Sequence, residues 1–139
     1  MPEQTVWRQE FEPTRNRAEQ LLVMIDVQDI PLPTEFKTTL PAHLLKLKPG
    51  GWGGNHRHLS REVYVALNEG LYIVWRDAEG QRHEAAMAPS QDGKLQVFAM
   101  PPYVPHLIEN RGNAETFIYE LIELNNGLVE LLEGADSLR

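Results

Sequence analysis

The sequence predicts an all-β domain closed into a barrel or a two-sheet sandwich, and three observations predict it. Ten Gly and ten Pro are scattered along 139 residues. Between them lie short runs that are continuously apolar or alternate with a period of two. The breaks are rich in Asn, Asp and Gly, which tolerate the positive φ of tight turns. Many short strands in one small domain leave exposed edges unless the sheet closes or doubles, so a barrel or sandwich is favoured over an open sheet.

In chain order, strands are expected at 6–11, 21–25, 42–48, 63–67, 71–76, 82–87, 95–100, 106–109 and 116–124. In Leu44-Leu45-Lys46-Leu47-Lys48 the apolar side chains at 45 and 47 point one way and the lysines the other, so that strand has one wet face. Turns fall at 68–70, 77–80, 91–93, 110–113 and 125–127. Helix is scarce. The stretch 14–20 is polar and ambiguous, whereas 128–133 has apolar residues at i, i+1, i+3 and i+4 and is expected to form a helical turn or two. That tail fits either a lid on the domain's own sheet or a subunit contact.

A chain of this length buries roughly two-thirds of its unfolded surface, so one domain spanning 1–139 is the default. Thirteen Lys+Arg against twenty Asp+Glu leave a net charge of −7, with no basic cluster dense enough to displace counterions from a nucleic acid or to anchor on an anionic membrane. No Cys is present, which excludes disulfides, thiolate metal sites and thiol nucleophiles. The opening MPEQTVWRQEF lacks a basic region followed by an apolar one, and no apolar run approaches the ~18–20 residues of a membrane span. A soluble, cytoplasmic protein is the expectation. None of Ser60, Ser90 and Ser137 has GxSxG surroundings, which argues against a triad hydrolase.

Three of the five histidines fall in two arrangements that suit a metal. On an extended segment His56 and His58 point to one face, so both imidazoles can grip one ion while Arg57 points away. Glu62 follows at an even offset and would add an anionic oxygen. Downstream, Pro101, Pro102 and Pro105 fix a rigid approach to His106 at the head of a short strand, which suits a fourth, sequence-remote ligand. The same residues also fit a surface His pair, with Glu62 in an ion pair with Arg57 or Arg61.

The pattern GxxxxxHxHxxxE from Gly50 to Glu62, with Gly70 beyond, resembles the first motif of the cupins, and PxxxxHxxxN from Pro101 to Asn110 resembles their second. The resemblance covers residues 50–110, flanked by an N-terminal arm or strands at 1–41 and a tail at 125–139. It implies a double-stranded β-helix, or jelly-roll barrel, whose metal ligands map onto His56, His58, Glu62 and His106. It also implies a homodimer. Two departures stand out. The interval from Glu62 to Gly70 is one residue longer than usual, and Tyr103 occupies the place of a glycine in the second motif, with Gly93 two positions too early to replace it. Tyr does not readily take positive φ, so that turn is expected to adopt another conformation, set by Pro102 and Pro105.

Three imidazoles and one carboxylate suit one divalent transition metal per chain, whether Fe, Mn, Ni, Co or Zn. Tyr64 and Ala66 share the parity of Glu62, which makes Tyr64 either a proton donor or substrate anchor, or a wall residue with a satisfied hydroxyl. Tyr103, beside the last ligand loop, has the same two readings. Trp52, among four glycines, is placed to close the mouth and stack on a ring or sugar face, or simply to cover the barrel end. Arg76 is a candidate anion clamp for substrate, while His43 and His83 read as bystanders. Three functions remain open on these residues and on the resemblance. The favoured one is a metal-dependent enzyme on a small oxygen-rich metabolite, a sugar-type isomerase or epimerase. The others are an Fe(II)-dependent dioxygenase and a non-catalytic small-molecule binding or sensing protein.

Overall fold

A computed structural model of the chain describes residues 12–25, 42–87, 96–122 and 129–139. The strands are β1 (Arg15–Asn16), β2 (Leu21–Ile25), β3 (Ala42–Leu47), β4 (Trp52–Arg57), β5 (Glu62–Ala66), β6 (Leu71–Arg76), β7 (Arg82–Ala86), β8 (Phe98–Met100), β9 (His106–Asn110), β10 (Thr116–Ile122) and β11 (Glu130–Leu131). The expected strand at 6–11 and the turns at 91–93 and 125–127 lie outside the described residues. So do residue 95 of the expected strand 95–100 and residues 123–124 of the expected strand 116–124.

One sheet runs β1-β2-β3-β10-β5-β8 and the other β11-β4-β9-β6-β7. All the strand pairs among the described residues are antiparallel. From β3 to β10 the chain changes sheet at every connection except the β6–β7 hairpin. That winding produces a jelly-roll sandwich. The hairpin is closed by Asp77, whose Oδ1 accepts the backbone N–H groups of Glu79 (3.0 Å) and Gln81 (2.8 Å). An aspartate that satisfies its own turn is the usual reason for its place there.

Period-two patterning places the core between the sheets. Leu45 and Leu47 of β3, Tyr64 and Ala66 of β5, Ile118 of β10 and Met100 of β8 face Leu71 and Ile73 of β6 and Ile108 of β9 in one buried cluster. Each such fully buried aliphatic side chain contributes roughly 1.5–3 kcal/mol relative to exposure. The alternate residues Val74 and Leu107 project from the other face of their sheet, where Leu132 and Leu138 of the C-terminal segment cover them.

That segment is not the expected helix. Residues 130–131 pair with β4, Glu130 opposite Arg57 and Leu131 opposite His56, and a single 3₁₀ turn follows at Gly134–Asp136. The helical spacing at 128–133 lost to edge pairing: an open β4 edge satisfies the segment's backbone groups, which a helix of one or two turns does poorly. The ambiguous stretch 14–20 contains β1, paired to β2.

Candidate metal centre

Strand β4 was not among the expected strands, because Trp-Gly-Gly-Asn has little β-propensity. It forms because β9 on one side and β11 on the other supply hydrogen-bonding partners. Its pairing to β9 carries a bulge: Gly53 opposes Ile108, Gly54 opposes Leu107, and His56 opposes His106, leaving Asn55 extra. Gly54 (φ +92°) and Asn55 (φ +57°) both take the left-handed region that this requires. The extra residue reverses the alternation. Without it, an inward Gly53 would turn His56 outward; with it, His56 faces the interior opposite His106.

Four side chains converge there. His56 is the penultimate residue of β4, His58 follows its end, Glu62 opens β5 and His106 opens β9. Their ligand atoms all lie within 4.8 Å of one another. The three imidazole rings stand edge to face at centroid separations of 4.8, 4.8 and 5.1 Å. His58, Glu62 and His106 are buried. Arg57, between the two ligand histidines, points away to Glu130 at 2.6 Å, so it is no partner of Glu62.

The tautomers follow from the backbone. A carbonyl only accepts, so His58 Nδ1–H donates to Ser60 O (3.0 Å) and His106 Nδ1–H donates to Val104 O (2.8 Å). In both rings this turns Nε2 inward as a lone-pair donor, the arrangement that orients metal-binding histidines. His58 Nε2 lies 2.5 Å from Glu62 Oε1, yet it is buried with no hydrogen-bonding partner of acceptable geometry. A buried nitrogen and a carboxylate oxygen so close together need a positive charge to share, which either a proton or a metal ion supplies.

The electrostatics agree. Burial, reinforced by the other two imidazoles, lowers His56 to about 3, and burial lowers His106 to about 4, so both are neutral donors at ordinary pH. The Glu62 carboxylate raises His58, while burial raises Glu62 against the pull of His58. The set therefore fits a divalent cation held by His56, His58, Glu62 and His106.

Beside the cluster is a cavity of about 160 Å³, lined by His56 and His106 from one sheet and by Glu62, Tyr64, Glu120 and His43 from the other, together with Gln20 and Arg15. The Tyr64 hydroxyl lies 3.3 Å from His106 Nε2, as its shared parity with Glu62 predicts. His43 is no bystander. It lines this cavity with Nδ1 3.4 Å from Glu120 Oε2, in cross-strand register on β3 and β10, and Glu120 is in turn opposite Tyr64 on β5. The missed signal was parity: residue 43 shares the inward face of Leu45 and Leu47. Gly53 lines the same cavity from the other sheet, where an added Cβ would meet Gln20 Nε2 at 2.9 Å.

Three other candidates lie elsewhere. Trp52 projects from the outer face of its sheet against Val74, Leu107, Leu132 and Leu138, beneath the guanidinium of Arg139 at 4.4 Å, and does not close the mouth. Arg76 donates to the carbonyls of Asp136 (2.6 Å) and Ser137 (3.2 Å), tying down the C-terminal segment instead of clamping an anion at the cavity. Tyr103 does take φ +65°, contrary to expectation, and its exposed side chain lines an outer groove with Arg57 and Arg76. Its backbone N–H donates to His58 O at 2.8 Å, and this bond holds the turn. His83 pairs with Asp77 at 2.7 Å and stacks on Trp75, away from the cluster.

No family model matches the chain, and no curated protein matches it by sequence. Solved structures match in shape. CapF, a capsular polysaccharide assembling protein from Staphylococcus aureus, superposes with a TM-score of 0.67 at 20% identity, over 90% of this chain and 33% of its own. Oxalate oxidase in complex with glycolate gives 0.65 at 16% identity, over 91% of this chain and 64% of its own. Bacillus subtilis oxalate decarboxylase, a protein with Mn(II) centres, gives 0.63 at 16%, over 85% of this chain and 29% of its own. The chain thus spans about a third of the length of CapF and under two-thirds of oxalate oxidase. At such identities the likeness concerns architecture. Both motifs, the sheet-changing strands and these superpositions agree that the chain has the jelly-roll fold of the cupins.

Proposed function

We propose that the chain is a metal-dependent enzyme acting on a small oxygen-rich metabolite, with sugar-type isomerisation or epimerisation as its chemistry. The observation that carries this reading is that groups able to move protons share one cavity with the ligand cluster: Tyr64 against His106, and the His43–Glu120 pair beside Tyr64 on the neighbouring strands of the same sheet. His56, His58, Glu62 and His106 hold one divalent transition metal, which when bound supplies Lewis acidity to a substrate oxygen. The Mn(II) of a decarboxylase of like fold supports manganese as the first ion to try.

The chain's own residues do the rest. His43, with its Nδ1 turned to Glu120, takes the proton from the carbon beside the substrate carbonyl, and the electron pair passes to the carbonyl oxygen. Tyr64, two strands from His43 on the same sheet, supplies the hydroxyl that protonates that oxygen. The likeness to a polysaccharide assembling protein supports a carbohydrate-type substrate. A second reading, oxidative chemistry on a small carboxylic acid, draws support from the likeness to oxalate oxidase and from the cavity, which at about 160 Å³ falls below the ~300–1,000 Å³ of drug-sized sites.

The test uses protein loaded with Mn(II), incubated with keto-sugars in D₂O and followed by NMR. Deuterium should enter at the carbon next to the carbonyl, and Tyr64→Phe and His43→Gln should each slow it by roughly 10²–10⁴-fold, the usual worth of a positioned acid or base. Oxygen consumption with glycolate or oxalate and no deuterium exchange would replace this reading with the oxidative one. Saturable binding without either would leave a binding protein.

A further inference from the structure

The C-terminal segment does more than cover an apolar patch. Its contacts concentrate on Asn55, the extra residue of the β4 bulge and the immediate neighbour of His56. Asn55 Nδ2 donates to Ser137 Oγ (3.0 Å) and Leu132 O (3.3 Å), and Asn55 Oδ1 accepts from the Leu138 backbone N–H (2.9 Å). The backbone joins in: Leu132 N–H donates to Asn55 O at 2.9 Å. Every polar atom of the Asn55 side chain, and its carbonyl, is thus spent on residues 132–138.

The segment itself is fastened at several further points. Leu132 and Leu138 are buried, and the Arg82 guanidinium donates to Leu138 O (2.7 Å). Arg76 holds two more carbonyls. Leu131 pairs directly opposite His56. A bulge of two consecutive left-handed residues is a locally unfavourable conformation, and only outside contacts fix it in one geometry. Those contacts come from the C-terminal segment.

We propose that residues 130–139 form a strap that sets the position of His56 through Asn55, making Asn55 a positioning residue of the metal centre. The consequence is sharp because the bulge decides which face His56 takes. A strap that releases Asn55 lets β4 relax, and the imidazole loses its alignment with His58, Glu62 and His106. This inference rests on the metal reading above.

The experiment is a double-mutant cycle read by Co(II) affinity, in chelator competition, and by the visible absorption of bound Co(II). Asn55→Gly keeps the positive φ available while removing all three side-chain bonds. It should weaken Co(II) binding about 10-fold, within the ~10–100-fold range for outer-shell partners of metal ligands, and shift the Co(II) spectrum. In a His56→Ala background the same change should have no further effect, since the ligand it positions is gone. Deletion of residues 133–139, which leaves β4 intact, should reproduce the Asn55→Gly result and stands in for it if that variant fails to fold. Wild-type affinity in Asn55→Gly, or equal losses with and without His56, would overturn the strap. Failure of the wild-type protein to bind Co(II) at all would instead overturn the metal reading, and the strap's role with it.

Discussion

Tyr103 shows how one residue can be misread for a good physical reason. A non-glycine residue in the left-handed region costs roughly 1–2 kcal/mol, and the cupin-like second motif places a glycine there. The chain keeps Tyr at φ +65° because the turn is held from outside, by its N–H on His58 O and by the flanking prolines. With the side chain exposed and remote from the cluster, Tyr103→Gly should bind metal as the wild type does and melt at an equal or higher temperature. Lost left-handed strain is set against the ~0.5–1 kcal/mol of extra glycine entropy. Reduced metal affinity on scanning calorimetry with added Co(II) would show that the phenol matters after all. The convergence of His56, His58, Glu62 and His106 was legible from the two motifs but not from strand parity, since the Asn55 bulge turns His56 inward and Glu62 comes from the other sheet. His43 was legible by parity with Leu45 and Leu47, but a lone His on an apolar face carries no motif to attract attention. Arg76 and Trp52 were not legible: their partners are backbone carbonyls and leucines more than fifty residues away in sequence.

At the scale of elements, the strands at 21–25, 42–48, 63–67, 71–76, 82–87 and 106–109 were read to within a residue, whereas the one expected at 95–100 begins only at Phe98. Strand β4 was not read. Its order comes from neighbours, so no local signal announced it. The opposite edge of the same sheet shows how charge can fasten strands. Beyond the end of β9, Arg111 pairs with Glu84 of β7 (2.8 Å) and Glu109 of β9 (2.9 Å), lies 4.5 Å over the ring of Tyr72 on β6, and shares Glu84 with Arg82 (2.9 Å). Arg111 first, then Arg82, lower the Glu84 carboxyl from 4.5 to about 2. A carboxylate depressed in the folded state stabilises above its ordinary value, and that stabilisation fades as pH falls toward the folded value. The urea midpoint of the wild type should therefore exceed that of Glu84→Gln at pH 6, and the difference should shrink as pH falls from 4.5 to about 2. Other carboxylates titrate in both proteins and cancel in the difference. A gap that stays constant down to pH 2 would mean that Glu84 acts through packing and not through its charge.

Over the whole molecule, the His/Glu cluster has one property that its residue list hides: its side chains come from both sheets. His56, His58 and His106 belong to β4, its extension and β9, whereas Glu62 opens β5 in the facing sheet. An ion bound there cross-links the two layers at the end of the sandwich, where the core cluster gives way to a cavity. Binding that requires the folded arrangement is folding free energy. At free metal about 1,000 times the dissociation constant it adds ~4 kcal/mol, which for a chain of this size raises the melting temperature on the order of 10–20 °C. Chelation should reverse the gain, and His106→Ala should abolish most of it while retaining near-native circular dichroism, since Leu107, Ile108 and Asn110 keep β9 packed. Hydrogen exchange separates a true cross-link from a local clamp. If Glu62 binds with the histidines, metal slows amide exchange in β5 together with β4 and β9; protection confined to β4 and β9 would remove Glu62 from the set and leave three imidazoles on one sheet.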